Sequence, residues 1–375
     1  KLMYRFKDPW SDKWFALRFD LTVPMARFFS LKRPSLPFKR YHIGRVWRHE
    51  RPQKGRYREF WQADVDIVGS VYPEADAELL DLSINAMLKL GFKDFVIKLN
   101  DRRILRGIFE EELALTNVID IYRAIDKLDK IGYEGVKEEL KKIGLDEDTI
   151  SKLLEIISKE YNVEENMLNL VEEFPKNNNV REGINHLLSV IDHLGSNKRY
   201  VSFSLSLVRG LDYYTGPVWE IILRDVQIGS VAGGGRYDDL IEKYAGASYP
   251  ATGTSFGVER LIDVGKQLGI FRTDKTTFTE IYIISMTPKA YKVIWNIASE
   301  LRKEGFSVQI DLMRRSERKQ REYASKKGIP VLIIIGEKEL STNEAILYIR
   351  DTGERIVIKR HELRDFLSAK LRKSA

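Results

Sequence analysis

Two β-rich runs joined by a long basic loop limit the possible folds of this chain more than any other feature. Residues 40–48 and 59–68 favour β-structure, and the segment 51–56 between them has the residues of a turn. The surrounding stretch 32–58 holds ten basic residues and a single acidic one, Glu50. The sequence therefore predicts two antiparallel strands whose connecting loop attracts anions.

Polar side chains alternate along the second of these strands. Gln62, Asp64 and Asp66 are two residues apart, so they point to one face of the predicted sheet. Arg48 on the paired strand and Asp66 are predicted to line one cleft, where the guanidinium can bind phosphate oxygens. Phe60 offers a flat face for a nucleobase. From chemistry alone, an exposed basic hairpin with ordinary ion pairs remains an equal alternative.

Composition excludes several classes of protein. The 375-residue chain has no cysteine, so it has no disulfide framework, cysteine-ligated zinc site or thiol nucleophile. The sequence contains no run of about 18 apolar residues, so it predicts no membrane span. The net charge of +7 lies in residues 276–375, because residues 1–275 are balanced. This charge fits a polyanion partner, although a solvated basic surface also explains it.

Hydrophobic spacing divides the chain into segments of different type. Residues 101–195 have helical spacing throughout and predict a helical insertion with an acidic polar face. Residues 280–375 alternate strand and helix, which predicts a small α/β domain with a partly parallel sheet. The predicted organisation is a β-rich body at 1–100 and 196–270, with helices at 74–90 and about 257–268, the insertion at 101–195, a linker at 271–279 and the α/β domain at 280–375.

Three further segments carry residues suited to ligand binding. Arg209 stands beside a glycine, which permits close approach, and Tyr213 and Tyr214 supply hydroxyls and ring faces. The glycines at 233–235 predict a tight turn that a ligand can approach. Arg260 is predicted in the first turn of a helix, where the helix dipole favours an anion. Packing, a turn or a surface ion pair explains each feature taken alone.

One local resemblance is rejected. The segment His42–Arg45 is similar to the HIGH box of class I synthetases, but that box begins a helix, and this segment lies in a β-rich run. No convincing second class I signature follows it. His42 and His49 are also poor metal-ligand candidates, because the other histidines are distant in sequence. Metal ligands therefore stay unassigned.

The order and content of four segments resemble the class II aminoacyl-tRNA synthetases, and within them the histidyl-tRNA synthetase family. The segment 44–66 resembles class II motif 2, and 257–261 resembles motif 3. The segments 209–214 and 232–238 resemble two motifs peculiar to the histidine enzymes. The resemblance covers nearly the whole chain, and it implies that motif 1, which forms the dimer, precedes the first residue.

The resemblance implies an α+β fold, in which a class II antiparallel sheet flanked by helices carries the helical insertion and a C-terminal α/β anticodon-binding domain. It implies ATP-dependent activation of L-histidine to histidyl-adenylate and transfer of the histidyl group to the 3′-terminal adenosine of tRNA(His). It further implies ATP and Mg²⁺, a homodimer, and a cytoplasmic location without a membrane partner.

The matching motifs imply roles at the ATP. Arg48 corresponds to the arginine on the α-phosphate, Arg209 to one that touches the histidine carboxylate and the phosphate, and Arg260 to one on the γ-phosphate. Phe60 is expected to stack on adenine. The residues expected at adenine or the distal phosphates are Glu50, Arg56 and Arg58.

The motifs also imply a histidine pocket. Asp66 is expected to accept from an imidazole N–H, and the Tyr214 hydroxyl is expected to complement the other ring nitrogen. Such a site rejects apolar isosteres, whose binding leaves its polar groups unpaired. The remaining residues expected at histidine are Asp20, Thr22 and Gln62 at the α-ammonium, with Arg209 and Tyr213 beside them.

Two alternatives belong to other functional classes. One is a catalytically inactive regulatory paralogue, of the kind that resembles these synthetases in histidine biosynthesis; such paralogues typically lack the 209–214 run and the C-terminal domain. The other is an RNA-binding or sensor module, which needs no trio of Arg48, Arg209 and Arg260. Both sets of features are present here, but fold alone excludes neither alternative.

Overall fold

A computed structural model describes residues 2–51, 53, 55–158, 165–208, 213–224, 226, 228–271 and 277–371. The chain divides into two compact units, Lys1–Phe271 and Arg272–Ala375. Among the described residues, no helix has the length and apolar character needed to cross a bilayer. The predicted linker at 271–279 falls largely outside the described residues.

The first unit is built on one large sheet. Its strands are β1 (Arg5–Lys7), β2 (Trp14–Ala16), β3 (Phe38–Trp47), β4 (Glu59–Val68), β5 (Phe95–Asp101), β6 (Val201–Phe203), β7 (Pro217–Leu223), β8 (Ala232–Arg236) and β9 (Ala251–Gly257). Strands β1 and β2 form a separate hairpin, and the other seven form a sheet in the order β3-β4-β9-β8-β7-β5-β6. Every pairing in this sheet is antiparallel except that of β5 with β6.

Helices flank this sheet and fill the insertion, and the predicted α+β class is confirmed. They are α1 (Thr22–Lys32), α2 (Pro73–Lys89), α3 (Arg102–Arg106), α4 (Val118–Ile125), α5 (Leu128–Ile143), α6 (Glu147–Ser158), α7 (Glu165–Glu173), α8 (Asn178–Leu194), α9 (Glu242–Ala245) and α10 (Val258–Gln267). A π-helical segment, Gly107–Glu112, follows α3, and α5 is interrupted at Gly132, whose φ is 67°.

Helix α2 shows why these segments are helical. Pro73 opens it, and Glu74 and Asp76 lie in its first turn, where the helix dipole favours negative charge. Its apolar positions recur at helical spacing, and Leu80 and Ile84 are completely buried in the core. The predicted helix at 74–90 is confirmed.

The hairpin of β3 and β4 matches the prediction from the sequence. The strands pair from Phe38 opposite Val68 to Trp47 opposite Glu59, with the basic loop between them. The pairing places Asp66 opposite Arg40 and Asp64 opposite His42. The other neighbour of β4 is β9, and the alternating burial along β4 places Gln62, Asp64 and Asp66 on its buried face.

The prediction of a turn at 233–235 is wrong, because these glycines belong to β8 in the middle of the sheet. A Cβ on Gly234 would lie 2.2 Å from the carbonyl oxygen of Gly253 on β9. A Cβ on Gly235 would lie 2.6 Å from the carbonyl oxygen of Pro217. The glycines therefore allow close packing within the sheet. The strand expected at 201–208 is also shorter, because β6 ends at Phe203.

The second unit has the predicted partly parallel sheet. Its elements are β10 (Ile281–Ser285), α11 (Tyr291–Lys303), β11 (Val308–Ile310), α12 (Glu317–Lys326), β12 (Val331–Ile335), α13 (Glu337–Thr342), β13 (Glu344–Ile349), β14 (Glu354–Lys359) and α14 (Leu363–Leu371). The strand order is β11-β10-β12-β13-β14. Strand β10 is parallel to β11 and β12, and the other pairs are antiparallel. Helix α13 was not predicted from the sequence.

Candidate active site

A cavity of about 370 Å³ lies in the first unit. It is lined by four neighbouring strands, β4, β9, β8 and β7, by the loop after β3, and by the start of α10. The predicted site residues that line it are Arg48, Glu50, Arg56, Phe60, Gln62, Tyr213, Tyr214 and Arg260. Residues separated by more than 200 positions in the sequence are thus brought to one cavity.

The other predicted site residues do not line the cavity or are outside the described residues. Arg209 is outside the described residues. Arg58 is exposed, and its Nε donates to the backbone oxygen of Glu50 at 3.0 Å, so it supports the loop. The remaining predicted residues that do not line the cavity are Asp20, Thr22 and Asp66.

Arg48 is held rigidly at the cavity. Its guanidinium lies over the ring of Phe19 at 4.5 Å and over the ring of Phe60 at 5.0 Å. Its Nε donates to the backbone oxygen of Phe19 at 3.1 Å. Burial lowers the pKa of Arg48, but a guanidinium stays charged at any physiological pH. The site therefore holds a preorganised cation beside a flat aromatic ring.

Arg260 lies in the first turn of α10, as predicted. Its Nε donates to the backbone oxygen of Gly55 at 2.7 Å, and its Nη1 donates to that of Ser230 at 2.6 Å. The neighbouring Glu259 also has a structural role, because its carboxylate accepts from the backbone N–H of Trp61 at 2.8 Å. These bonds tie α10 to the basic loop and to β4.

The sequence prediction missed a polar chain behind Gln62. Gln62 Nε2 donates to the hydroxyl of Ser255 at 2.6 Å, and that hydroxyl donates to Oδ1 of Asp64. Asp64 is only 2% exposed. Burial, opposed by the Ser255 hydrogen bond, raises the pKa of Asp64 to about 7. Alternation along β4 pointed to Asp64, whereas Ser255 follows only from the pairing of β4 with β9.

Asp66 is already engaged by the protein. Arg40 Nε donates to its Oδ2 at 3.0 Å, and the hydroxyl of Tyr237 donates to its Oδ1. Burial raises the pKa of Asp66, although Arg40 and Tyr237 oppose that shift. A carboxylate has about four lone-pair positions, so these two partners leave room for a further donor.

The tyrosine pair forms part of the cavity wall. The rings of Tyr213 and Tyr214 are 4.4 Å apart, and the Tyr213 hydroxyl donates to that of Tyr214 at 3.2 Å. The Tyr237 ring packs edge-on against Tyr213 at 6.0 Å, which connects the pair to Asp66. Asp20 instead accepts from the backbone N–H of Val23 at 2.9 Å and so holds the start of α1.

A second buried hydrogen-bond network, which the sequence does not predict, anchors β8. Asp76 on α2 is completely buried, and its Oδ2 accepts from Arg236 Nη2 at 2.7 Å. His186 on α8 places its Nε2 2.8 Å from the same oxygen. Burial alone would raise the pKa of Asp76, but His186 and Arg236 outweigh it and hold the pKa below its ordinary value. The network joins β8 to a helix of the sheet body and to one of the insertion.

The described residues contain no group of three or more histidine, aspartate or glutamate side chains arranged to hold a metal ion. Three glutamates nevertheless line the cavity, namely Glu50, Glu220 and Glu259. Mg²⁺ commonly binds proteins through one or two carboxylates together with substrate phosphates. The carboxylates present therefore fit an ion that arrives with a nucleotide.

Family models match most of each unit of the chain. The family model of histidyl-tRNA synthetase matches residues 1–261, and that of an anticodon binding domain matches residues 280–370. A histidine–tRNA ligase of Aeropyrum pernix is 50% identical over 96% of this chain and 82% of its own length. The one from Korarchaeum cryptofilum is 50% identical over 98% of this chain and 86% of its own.

Solved structures show the same architecture. A histidyl-tRNA synthetase from a Nostoc species has a TM-score of 0.82 and 28% identity, over 98% of this chain and 86% of that one. An ATP phosphoribosyltransferase regulatory subunit/histidyl-tRNA synthetase from Bacillus halodurans has a TM-score of 0.70 at 22% identity, over 89% and 83%, and shows the fold alone. The family model and the relatives that are 50% identical together show that this chain belongs to the histidyl-tRNA synthetase family.

Proposed function

We propose that this chain is a histidine–tRNA ligase, which activates L-histidine with ATP and transfers the histidyl group to the 3′-terminal adenosine of tRNA(His). The observation that carries the proposal is the meeting of Arg48, Phe60 and Arg260 at one cavity with Gln62 of β4. Relatives that are 50% identical bear the name of this activity.

The cavity suits the first chemical step. A carboxylate oxygen of histidine attacks the α-phosphorus of ATP, the bond to the β-phosphate oxygen breaks, and pyrophosphate leaves. Negative charge builds on the α-phosphate oxygens, and a fixed cation stabilises it without reorganisation. Arg48 supplies that cation, and the motif resemblance assigns Arg209, which is outside the described residues, to the histidine carboxylate and the phosphate. Arg260 holds the γ-phosphate, and adenine stacks on Phe60.

The histidine pocket lies along β4. Gln62 accepts from the α-ammonium, with Asp20 and Thr22 at the start of α1 completing its surroundings. Asp66 accepts from one imidazole nitrogen, and Tyr214 complements the other. A site with these polar groups binds apolar analogues poorly, because its donors and acceptors then lose their partners.

Mg²⁺ accompanies ATP in this proposal. When bound, the ion would offset charge on the phosphates, and Glu50 and Glu220, which line the cavity, are the carboxylates that would hold it.

The second unit binds the anticodon arm, and its charge supports that role. Residues 276–375 carry the whole net charge of +7. Neutralising phosphates releases counterions, so tRNA binding weakens with salt. The proposed domains are the catalytic body at 1–100 and 196–270, the insertion at 101–195, and the anticodon-binding domain at 280–375. The enzyme acts as a cytoplasmic homodimer.

Histidine-dependent exchange of labelled pyrophosphate into ATP tests the activity directly. The full-length dimeric protein is expected to catalyse exchange with histidine and not with the other amino acids, because only histidine pairs with the polar groups along β4. Absence of exchange from a folded dimer would contradict the proposal. The regulatory and RNA-sensor alternatives predict that outcome, and nothing in the cavity favours them.

Replacing Asp66 by asparagine tests the imidazole contact. The variant is expected to raise the KM for histidine about tenfold to a hundredfold, while the KM for ATP stays within about threefold, because the proposed site places Asp66 at the imidazole and not at ATP. Steady-state exchange kinetics measure both constants. Asp94→Asn, at an exposed ion pair beside β5, is the matched control and should change neither. Equal losses for both substrates would remove Asp66 from the imidazole.

A further inference from the structure

A hydrogen-bonded chain runs from the cavity into the protein interior at the middle of β4. It begins at Gln62, which lines the cavity, continues through Ser255 on β9, and ends at Asp64. Gln62 is 8% exposed and Asp64 is 2% exposed. Ser255 also lines the cavity, whereas Asp64 lies behind it. Among the described residues, the hydrogen bond from Ser255 connects Asp64 to the cavity.

The amide of Gln62 has one unused end. Its Nε2 donates to Ser255, and its Oε1 is buried without a hydrogen-bond partner among the described residues. Leaving a buried acceptor unpaired costs about 1–3 kcal/mol. A ligand that donates a hydrogen bond at this point removes that cost, and an ammonium group is such a ligand.

The single proton of the Ser255 hydroxyl decides which end of the amide is unused. When this proton is donated to an ionised Asp64, the serine oxygen is left to accept, so it takes Nε2 of Gln62. The amide oxygen then remains available at the cavity. When Asp64 is protonated and donates to the serine oxygen, the serine proton must find another acceptor. The oxygen of Gln62 is within reach after an amide flip, which turns the NH₂ group toward the substrate.

We propose that Asp64 is a positioning residue that acts through Ser255 to orient the amide of Gln62, so that histidine binds tightly only when Asp64 is ionised. The inference rests on the proposed function, because the ammonium recognised is that of histidine. It adds a protein group that the motif resemblance did not assign. Asp64 does not touch the substrate, and the serine transmits its charge state as a change of hydrogen-bond direction.

The groups around Asp64 bring its pKa close to neutral pH. Burial raises its pKa to about 7, the Ser255 hydroxyl and Arg40 oppose the rise, and Asp66 and Asp20 add to it. Arg40 is committed to Asp66, at 3.0 Å, so it neutralises Asp64 only partly. The titratable and charged groups that face Asp64 from the surrounding elements are Asp66 on β4, Arg40 and His42 on β3, Arg48 after β3, Asp20 before α1, and Tyr213 and Tyr214.

The direction of the pH effect follows from this arrangement. Above pH 7 Asp64 is ionised and the amide oxygen faces the ammonium. Below pH 7 Asp64 takes up a proton and the affinity for histidine falls. For one group with a pKa of about 7 whose protonated form does not bind, affinity falls about tenfold between pH 8 and pH 6. ATP does not contact Gln62 in the proposed site, so the KM for ATP should not depend on the ionisation of Asp64.

The experiment compares pH profiles of histidine KM in pyrophosphate exchange for the full chain and the variant Asp64→Asn. Histidine titrates in the same range, but it does so equally with both proteins. The ratio of their KM values therefore isolates the protein group, and the wild-type KM is expected to rise about tenfold more between pH 8 and pH 6. Ser255→Ala should also lose this additional rise in the histidine KM, although Asp64 is still present. It therefore tests the proposal even if Asp64→Asn does not fold.

Two controls test whether the pH effect comes from Asp64 and acts on the ammonium group. His42→Gln, which removes the histidine opposite Asp64 on β3, should keep the wild-type profile. Imidazole-4-propionate, which lacks the ammonium, should inhibit with a constant that has no Asp64-dependent component. The proposal is overturned if Asp64→Asn and Ser255→Ala keep the wild-type profile, or if His42→Gln abolishes it. Failure of the proposed function looks different, because exchange would then be absent at every pH.

Discussion

Replacing Arg48 by alanine is expected to slow formation of histidyl-adenylate by about 10²–10³-fold while the protein remains folded. The guanidinium is fixed between the rings of Phe19 and Phe60 and is bonded to the backbone oxygen of Phe19. A cation held in this way needs no rearrangement when charge builds on the α-phosphate. Removing Arg48 should therefore mainly lower the rate of the chemical step.

Kinetics separate this role from simple binding of ATP. The variant is expected to lower kcat for exchange much more than it raises the KM for ATP, since the charge that Arg48 stabilises grows on the way to the transition state. Arg48→Lys should recover only part of the rate. Lysine restores a charge, but it lacks the planar group that bonds a phosphate bidentately and stacks on an aromatic ring.

Arg45→Ala is the matched control. Arg45 is on the same hairpin, but it is exposed and pairs with Glu59 at 3.1 Å and with the ring of Trp61 at 5.2 Å. Its removal should change the exchange rate by less than about twofold, because exposed ion pairs contribute little. Similar losses in the two variants, or a normal rate in Arg48→Ala, would assign the α-phosphate to a different cation.

The parts of the fold that the sequence predicts correctly depend on local patterns. The hairpin at 38–68 follows from alternation on both sides of a turn, and α2 follows from helical spacing with its cap. The parallel strands of the second unit follow from their alternation with helices. In each case, neighbours in sequence are also neighbours in the element, so a short window holds the necessary information.

Contacts between distant segments explain most of what the sequence left out. Ser255 is 191 residues from Asp64, and Arg236 is 160 residues from Asp76. No local pattern marks either pair. The glycines of β8 were misplaced for the same reason, since the oxygen of Gly253 that excludes a side chain there belongs to another strand.

Motif positions were predicted better than hydrogen-bond partners. The motif residues Arg48, Phe60 and Arg260 line the cavity where a nucleotide is proposed to bind. Asp66 was expected to face the imidazole, yet its charge is already paired with Arg40, its direct cross-strand neighbour. The pairing register, once known, makes that ion pair evident. Registers are set by the whole sheet and by the hydrophobic pattern of both strands.

Replacing Asp76 by alanine is expected to lower the free energy of unfolding by about 3–5 kcal/mol, a large part of the stability of a typical protein. The carboxylate is the shared partner of Arg236 and His186 in a region closed to water. Its loss leaves the Arg236 guanidinium, itself 3% exposed, without its buried counter-charge. Urea denaturation at neutral pH measures the change.

The same substitution should also weaken histidine binding. Arg236 immediately precedes Tyr237, whose hydroxyl donates to Asp66, so a displaced Arg236 moves a partner of the proposed imidazole acceptor. We expect the KM for histidine to rise more than the KM for ATP in the fraction that remains folded. Asp76→Asn should be less destabilising, because it keeps an acceptor for Arg236.

Glu78→Ala is the control for this prediction. Glu78 is on the same helix, but its pair with Lys39 is about half exposed on both sides, so its loss should cost at most about 1 kcal/mol. The pKa of Asp76 is held below that of an aspartate in the unfolded chain, so its contribution is complete above about pH 5 and declines as the pH falls toward the folded-state pKa. The difference in stability between wild type and Asp76→Ala should therefore shrink as the pH falls below about 5. A difference that is small at pH 7, or that stays constant into acid, would show that the buried charge does not stabilise this junction.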